Sequence, residues 1–147
     1  MKKIKKILLI IFITLLLLFF ICIPITNNLI AARVESKIKD IPLPKDTEII
    51  DSISIAGKLT GNGNGMQYFG AILIKSNLDI IELENYYKSY RKNEWSLNIK
   101  KQDTTHIDVI DHGEYSFSSR GSLDNCYIIY SWESNKLDIL SLDIRGH

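Results

Sequence analysis

The chain is poor in the residues that staple a fold or carry chemistry. Its 147 residues hold two cysteines, three histidines, three prolines and two tryptophans. Cys22 sits inside an apolar run and Cys126 lies far beyond it, so the two are not expected to pair, and a disulfide framework is excluded. There is no GxSxG elbow, no Ser-x-x-Lys placed at a helix start, no GxGxxG register and no Lys-Ser/Thr ending to a glycine-rich loop. Nucleophilic catalysis and nucleotide binding therefore find no support, no cofactor is expected, and the chain is not read as an enzyme. A basic excess is missing too. Setting aside Lys2, Lys3, Lys5 and Lys6 leaves 14 basic against 17 acidic side chains, a net charge of about −3. That balance excludes a nucleic-acid partner and a broad electrostatic grip on anionic lipid.

One absence is the most informative. No charge occurs between Lys6 and Arg33. Ile7 to Ile25 is apolar apart from Thr14, Cys22 and Pro24, and as a helix it spans roughly 28 Å, close to the hydrocarbon thickness of a bilayer. The lipid bilayer is thus the first expected partner, through Ile7–Ile25. The run is too long for the core of a signal peptide. Cleavage after Ala32 would put Ile30 where a small side chain is preferred. Cys22 lacks the small preceding residue that lipid attachment needs. An uncleaved anchor is the better reading. The N-terminal lysines place residues 1–6 in the cytoplasm, 7–26 in the cell membrane and the C-terminal part outside. An Ile-, Lys- and Asn-rich composition points to a bacterial source.

After the span, Ile30, Val34 and Ile38 recur every four residues, so a juxtamembrane helix is expected up to the Pro-x-Pro spacer Ile41-Pro42-Leu43-Pro44. Residues 27–44 form this helix and linker, and 45–147 one outer domain. Thr47 to Leu59 and Met66 to Ile74 read as strands joined by Gly61-Asn62-Gly63-Asn64-Gly65, whose residues tolerate positive φ. A helix follows, with Asp79 and Glu82 as a capping box, Leu78 and Leu83 as a staple, and Ile80, Leu83, Tyr87 and Tyr90 on one face; it is expected to end near Asn93-Glu94. Strands are expected at 96–100, 105–110, 114–119, 126–132 and 137–144, the last two joined by a turn at Glu133–Lys136. The order β-β-α-β-β-β-β implies an α+β fold, with one helix on a mostly antiparallel sheet.

Three groups are candidates for function. The loop Gly61–Gly65 with Met66, Gln67 and Tyr68 is a candidate recognition loop at a hairpin tip. The polar cluster Asp103, His106, Asp108, Asp111, His112 and Glu114 invites a metal. His106 and Asp108 would share a strand face with His112 nearby, although no established zinc spacing fits and solvated charges explain the cluster as well. The aromatics Tyr86, Tyr87, Tyr90, Trp95, Tyr127, Tyr130 and Trp132 suit a core, with polar tips that could serve recognition. Cys126 reads as a small buried hydrophobe.

The stretch from Pro42-Leu43-Pro44 through Gly57-Lys-Leu-Thr-Gly-Asn-Gly-Asn-Gly-Met-Gln-Tyr-Phe-Gly-Ala71 to Tyr86-Tyr87 and Trp95 resembles uncharacterised bacterial membrane-anchored or secreted proteins. That resemblance implies topology and fold, and brings no activity or ligand. The sequence thus points to a single-pass module outside the cytoplasm that binds a protein or cell-envelope component. The rivals are a small metal-dependent hydrolase using His106, Asp108 and His112, and an accessory subunit of a membrane complex. The span has no GxxxG pair to favour the last.

Overall fold

The computed structural model describes residues 2–61, 65–91, 96–119 and 121–134. The expected strand at 137–144, Asn135 and Lys136 of the turn before it, Asn62–Asn64, Asn93-Glu94 and Trp95 lie outside these residues; the helix expected to end near Asn93-Glu94 ends earlier, at Lys88 with Ser89 as its C-cap.

Helix α1 runs unbroken from Lys2 to Lys39. It is the one described helix long and apolar enough to cross a membrane. Pro24 lies inside it and does not end it; such prolines are tolerated where neighbouring groups take up the freed carbonyl. The antiparallel sheet follows, built from β1 (Thr47–Gly57), β2 (Gln67–Ser76), β3 (Leu97–Lys101) and β4 (Cys126–Ser134) in the spatial order β1-β2-β4-β3. Helix α2 (Ile80–Lys88) connects β2 to β3. Its capping box is present: Glu82 N–H donates to Asp79 Oδ1 at 2.8 Å, and Asp79 N–H to Glu82 Oε2 at 2.9 Å. The fold is α+β, as the sequence implies.

The period of two in β2 sorts its side chains to two covered faces. Tyr68, Gly70, Ile72 and Ile74 face the helices. Ile72 and Ile74 join Ile38, Ile41, Leu83, Tyr87, Leu97 and Ile129 in one core. Phe69, Ala71 and Leu73 face the opposite way and join Ile55, Leu59, Ile107, Ile110, Phe117 and Ile128 in another. Phe69 also packs on Trp132 and Tyr130, with ring centroids 4.7 and 5.8 Å away. The helix face is not purely apolar. Asn27 Nδ2, Tyr87 Oη and Ser131 Oγ are buried there with no hydrogen-bond partner among the described residues. Burial pushes the Tyr87 hydroxyl's pKa up, helped by the neighbouring Tyr86 and Tyr90.

The second face corrects two sequence expectations. Segments 105–110 and 114–119 are not strands; they share one bridge, His106 to Ser116. Alternation of Ile107 with Val109, and of Tyr115 with Phe117, marks residues that pack onto the sheet rather than into it. The hydrogen bonds go elsewhere. The Gln102 amide donates to the carbonyls of Thr104 and His106. The amides of Ser118 and Ser119 donate to Asp51 Oδ2 at 2.6 and 3.0 Å. Asp111-His112-Gly113, with Gly113 at φ +90°, folds the segment back on itself.

The Pro-x-Pro segment is part of the packed domain: Ile41 and Pro44 are buried, and Pro42 accepts a 3.0 Å hydrogen bond from Tyr86 Oη. Residues 23–41 of α1 and its exit therefore belong to the core. The crossing of α1 over the sheet is very close. A Cβ at Gly70 would stand 2.4 Å from the Glu35 backbone nitrogen and 2.8 Å from its Cα. No side-chain rotation relieves a backbone clash. Gly70→Ala is therefore expected to cost about 3 kcal/mol or more, whereas Gly65→Ala, with open space around it, stays within about 0.5 kcal/mol. Denaturant titration of both variants in detergent checks the pair.

Candidate functional site

Contacts along α1 fix the direction of the sheet. Tyr68 Oη donates to Asn27 Oδ1 at 2.8 Å. Gly70 meets Val34 and Glu35, and Ile72 and Ile74 share a core with Ile38 and Ile41. Strand β2 thus runs beside α1 in the same direction. The β1–β2 connection, residues 58–66, lies at the end of the sheet nearest the apolar span. The domain reaches down to Ile23, which is 2% exposed, while Ile21 and Ile25 on the other sides of the helix remain exposed.

The base of this connection is held from two sides. Gln67 turns its side chain back into the loop. Its Oε1 accepts from the amides of Leu59 and Thr60 at 2.9 and 2.8 Å, and its Nε2 donates to Thr60 Oγ1 at 3.0 Å. From the second layer, the amides of Asp111 and His112 donate to the Leu59 carbonyl at 2.9 and 3.0 Å. His112 Nε2 donates to the Gly61 carbonyl at 2.8 Å, and Gly61, at φ +68°, donates its amide to Asp111 Oδ2 at 3.3 Å.

This geometry divides the candidate recognition loop. Gly61 and Gly65 are exposed. Met66 and Tyr68 are buried at 2% and 0% and belong to the core under α1, so they are structural residues rather than contact residues. Gln67 is the clamp. Beside the clamp, on the sheet face away from the helices, an open groove of about 320 Å³ is lined by Thr60, Gln67, Val109, Tyr130 and Trp132. Sequence reading placed Tyr130 and Trp132 in a general aromatic set. Their meeting with Thr60 follows from the β2–β4 register, Ala71 opposite Tyr130 and Phe69 opposite Trp132, which periodicity alone does not supply.

The polar cluster is dispersed. Asp108 pairs with Lys100, and Asp103 with Lys101 at 3.2 Å. His106 enters the single bridge through its backbone, and His112 is spent on Gly61. Among the described residues no three His, Cys, Asp or Glu side chains stand where they could hold a metal ion. Cys126 is buried, and that burial pushes its thiol pKa up, away from a reactive thiolate. Tyr87 and Tyr127 are core residues. Tyr86 on α2 and Tyr90 just beyond its end lie at the opposite side of the sheet from the groove.

One carboxylate stands close to the helix–sheet seam. Burial opposes ionisation of Glu35, but the Lys39 ammonium, 2.7 Å away, and the hydroxyls of Ser52 and Ser54 outweigh it and hold the carboxyl below its ordinary value. It ties the α1 backbone to the β1 edge where Gly70 allows the approach.

No protein-family model, curated protein or solved structure matches the chain.

The clamp gives a direct expectation. Gln67→Ala leaves two loop amides without their acceptor and should cost about 1–2 kcal/mol. Trypsin cleavage after Lys58 should accelerate under native conditions. Unchanged stability and cleavage would show that the second layer alone holds the loop.

Proposed function

We propose that the chain is a single-pass, membrane-anchored module whose domain lies outside the cytoplasm and binds a protein or cell-envelope component close to the bilayer surface. The observation that carries this reading is the continuity of α1. One helix is exposed and apolar over Ile7–Ile21 and becomes a packed layer of the domain from Ile23 onward. The domain is therefore mounted on the helix, not tethered by a free linker, and its hairpin end is held at a fixed height. The four N-terminal lysines support the orientation.

The contact region we favour is the clamped end: Gly61 to Gly65 with Thr60 and the groove beside Trp132. It combines a two-sided scaffold, exposed loop backbone and partly exposed aromatics, the pattern by which rigid frames present recognition loops. In this reading the second layer, residues 103–119, serves to brace the loop.

Crosslinking in intact cells with tagged full-length protein tests the proposal. A reproducible captured partner is expected. Its capture should fall at least severalfold when Asn62 and Asn64 are both changed to Ala, or when Thr60→Lys charges the groove rim. A partner captured equally well by these variants would move the contact region elsewhere on the domain. Capture of nothing above background would count against a binding module.

A further inference from the structure

The membrane end of the domain carries a second groove, on the helix side of β1. It has a volume of about 500 Å³ and is lined by Ile25, Asn28, Leu29 and Ala32 of α1 and by Ser54 of β1. Its chemistry is graded along the helix. Ile25 and Leu29 are 53% and 64% exposed, and Ala32 is half-buried. These apolar residues continue the surface of the span, yet they lie at the height where Ile23 and Asn27 are already buried by the domain. One turn further on the same stripe comes Arg33, exposed and in no ion pair with a described residue. Arg33 does not itself line the groove; it is the neighbour of Leu29 one helical turn on, at the groove's rim. Asn28 and Ser54 add polar groups at the wall. Glu35 lies beyond Ser54, but its charge is held by Lys39 and by the hydroxyls of Ser52 and Ser54.

Lengths agree with this gradient. From Ile7 to Leu29 the helix is about 33 Å long, against about 30 Å of hydrocarbon, a difference that a tilt of about 25° absorbs. On the side away from the sheet, lipid then reaches Leu29. The groove opens at the boundary between acyl chains and headgroups.

We propose that this groove seats one phospholipid of the outer leaflet, its acyl chain along Ile25, Leu29 and Ala32 and its phosphate at Arg33. A planar guanidinium is suited to bidentate phosphate contact. The net negative domain excludes a broad charged footprint but not one local contact. The groove is continuous with the membrane-facing surface of α1, and this makes lipid its occupant. The proposal rests on reading α1 as a transmembrane anchor, and it extends that anchor to a shaped lipid site shared by helix and sheet.

The test uses full-length protein in vesicles of phosphatidylcholine and phosphatidylglycerol, with a Cys22→Ala, Cys126→Ala background and a fluorophore on a cysteine placed at Ile13, Leu29, Ser54 or Glu48. Phospholipid brominated on its acyl chains is the quencher. Quenching is expected at 13, 29 and 54 and not at 48. Quenching at 13 without quenching at 29 and 54 would overturn the groove and leave the anchor standing. No quenching at 13 would overturn both. Native mass spectrometry of the detergent-released protein supplies the headgroup arm. Arg33→Glu should lower the fraction retaining one phospholipid by about tenfold or more, the scale of one charge-assisted contact. Equal retention in that variant and in Ala32→Trp, which fills the groove, would contradict the proposal.

Discussion

The crossing of α1 over β2 at Gly70 sets the position of everything else. Backbone meets backbone there, because a glycine in the central strand removes the side chain that would hold the helix off. The same helix has two unlike stretches. Over Ile7–Ile21 its exposed side chains are apolar apart from Thr14, which makes it long and apolar enough to cross a membrane. From Ile23 onward it buries Ile23, Asn27, Ala31, Val34 and Ile38 against the domain and leaves its other sides exposed. Apolar stretch and core element are thus one continuous helix, and the position of the domain relative to the apolar stretch follows from helix geometry rather than from a linker.

The two faces of the sheet are closed by unlike means. Regular helices cover one face, and their ends are satisfied by the Asp79–Glu82 box and by Ser89. An irregular segment covers the other, with Gln102 and Asp51 accepting or donating what a ladder would otherwise provide. The irregular layer brings Asp111 and His112 to the hairpin base. A regular strand there would carry its polar groups into a ladder and leave the loop without its second clamp. The loop end and the two grooves, at Trp132 and at Leu29, therefore gather at the end of the domain nearest the apolar stretch of α1.

Much of this was legible from residues. The strands β2 and β4 follow from short apolar runs, and β1 and β3 from isoleucine and leucine spaced in twos. Helix α2 follows from its box and its one-sided face. The long apolar helix follows from the missing charges. The juxtamembrane stripe was visible in Ile30, Val34 and Ile38, but its true buried face also uses Asn27 and Ala31, a polar and a small residue that carry no apolar signal. The alternation at Ile107 and Val109 misled because packing onto a sheet and pairing within it leave the same period. Met66 and Tyr68 read both as part of a strand apolar on its two faces and as part of the candidate recognition loop; their burial under α1 decides for the first, and the sequence alone gives no clue to which element lies above such a strand. The groove at Leu29 joins α1 to Ser54, and only the fold places them together.

Hydrogen exchange offers the sharpest test of α1 as a core element. Two shortened chains suffice, one beginning at Ile23 and one at Lys45, compared at the β2 amides from Tyr68 to Ile74. If the helix is part of the core, the chain from Ile23 keeps these amides slow, and the chain from Lys45 exchanges them at rates near those of an unfolded peptide. Equal protection in both chains would show that the sheet and α2 fold without the helix, and that α1 is an anchor alone.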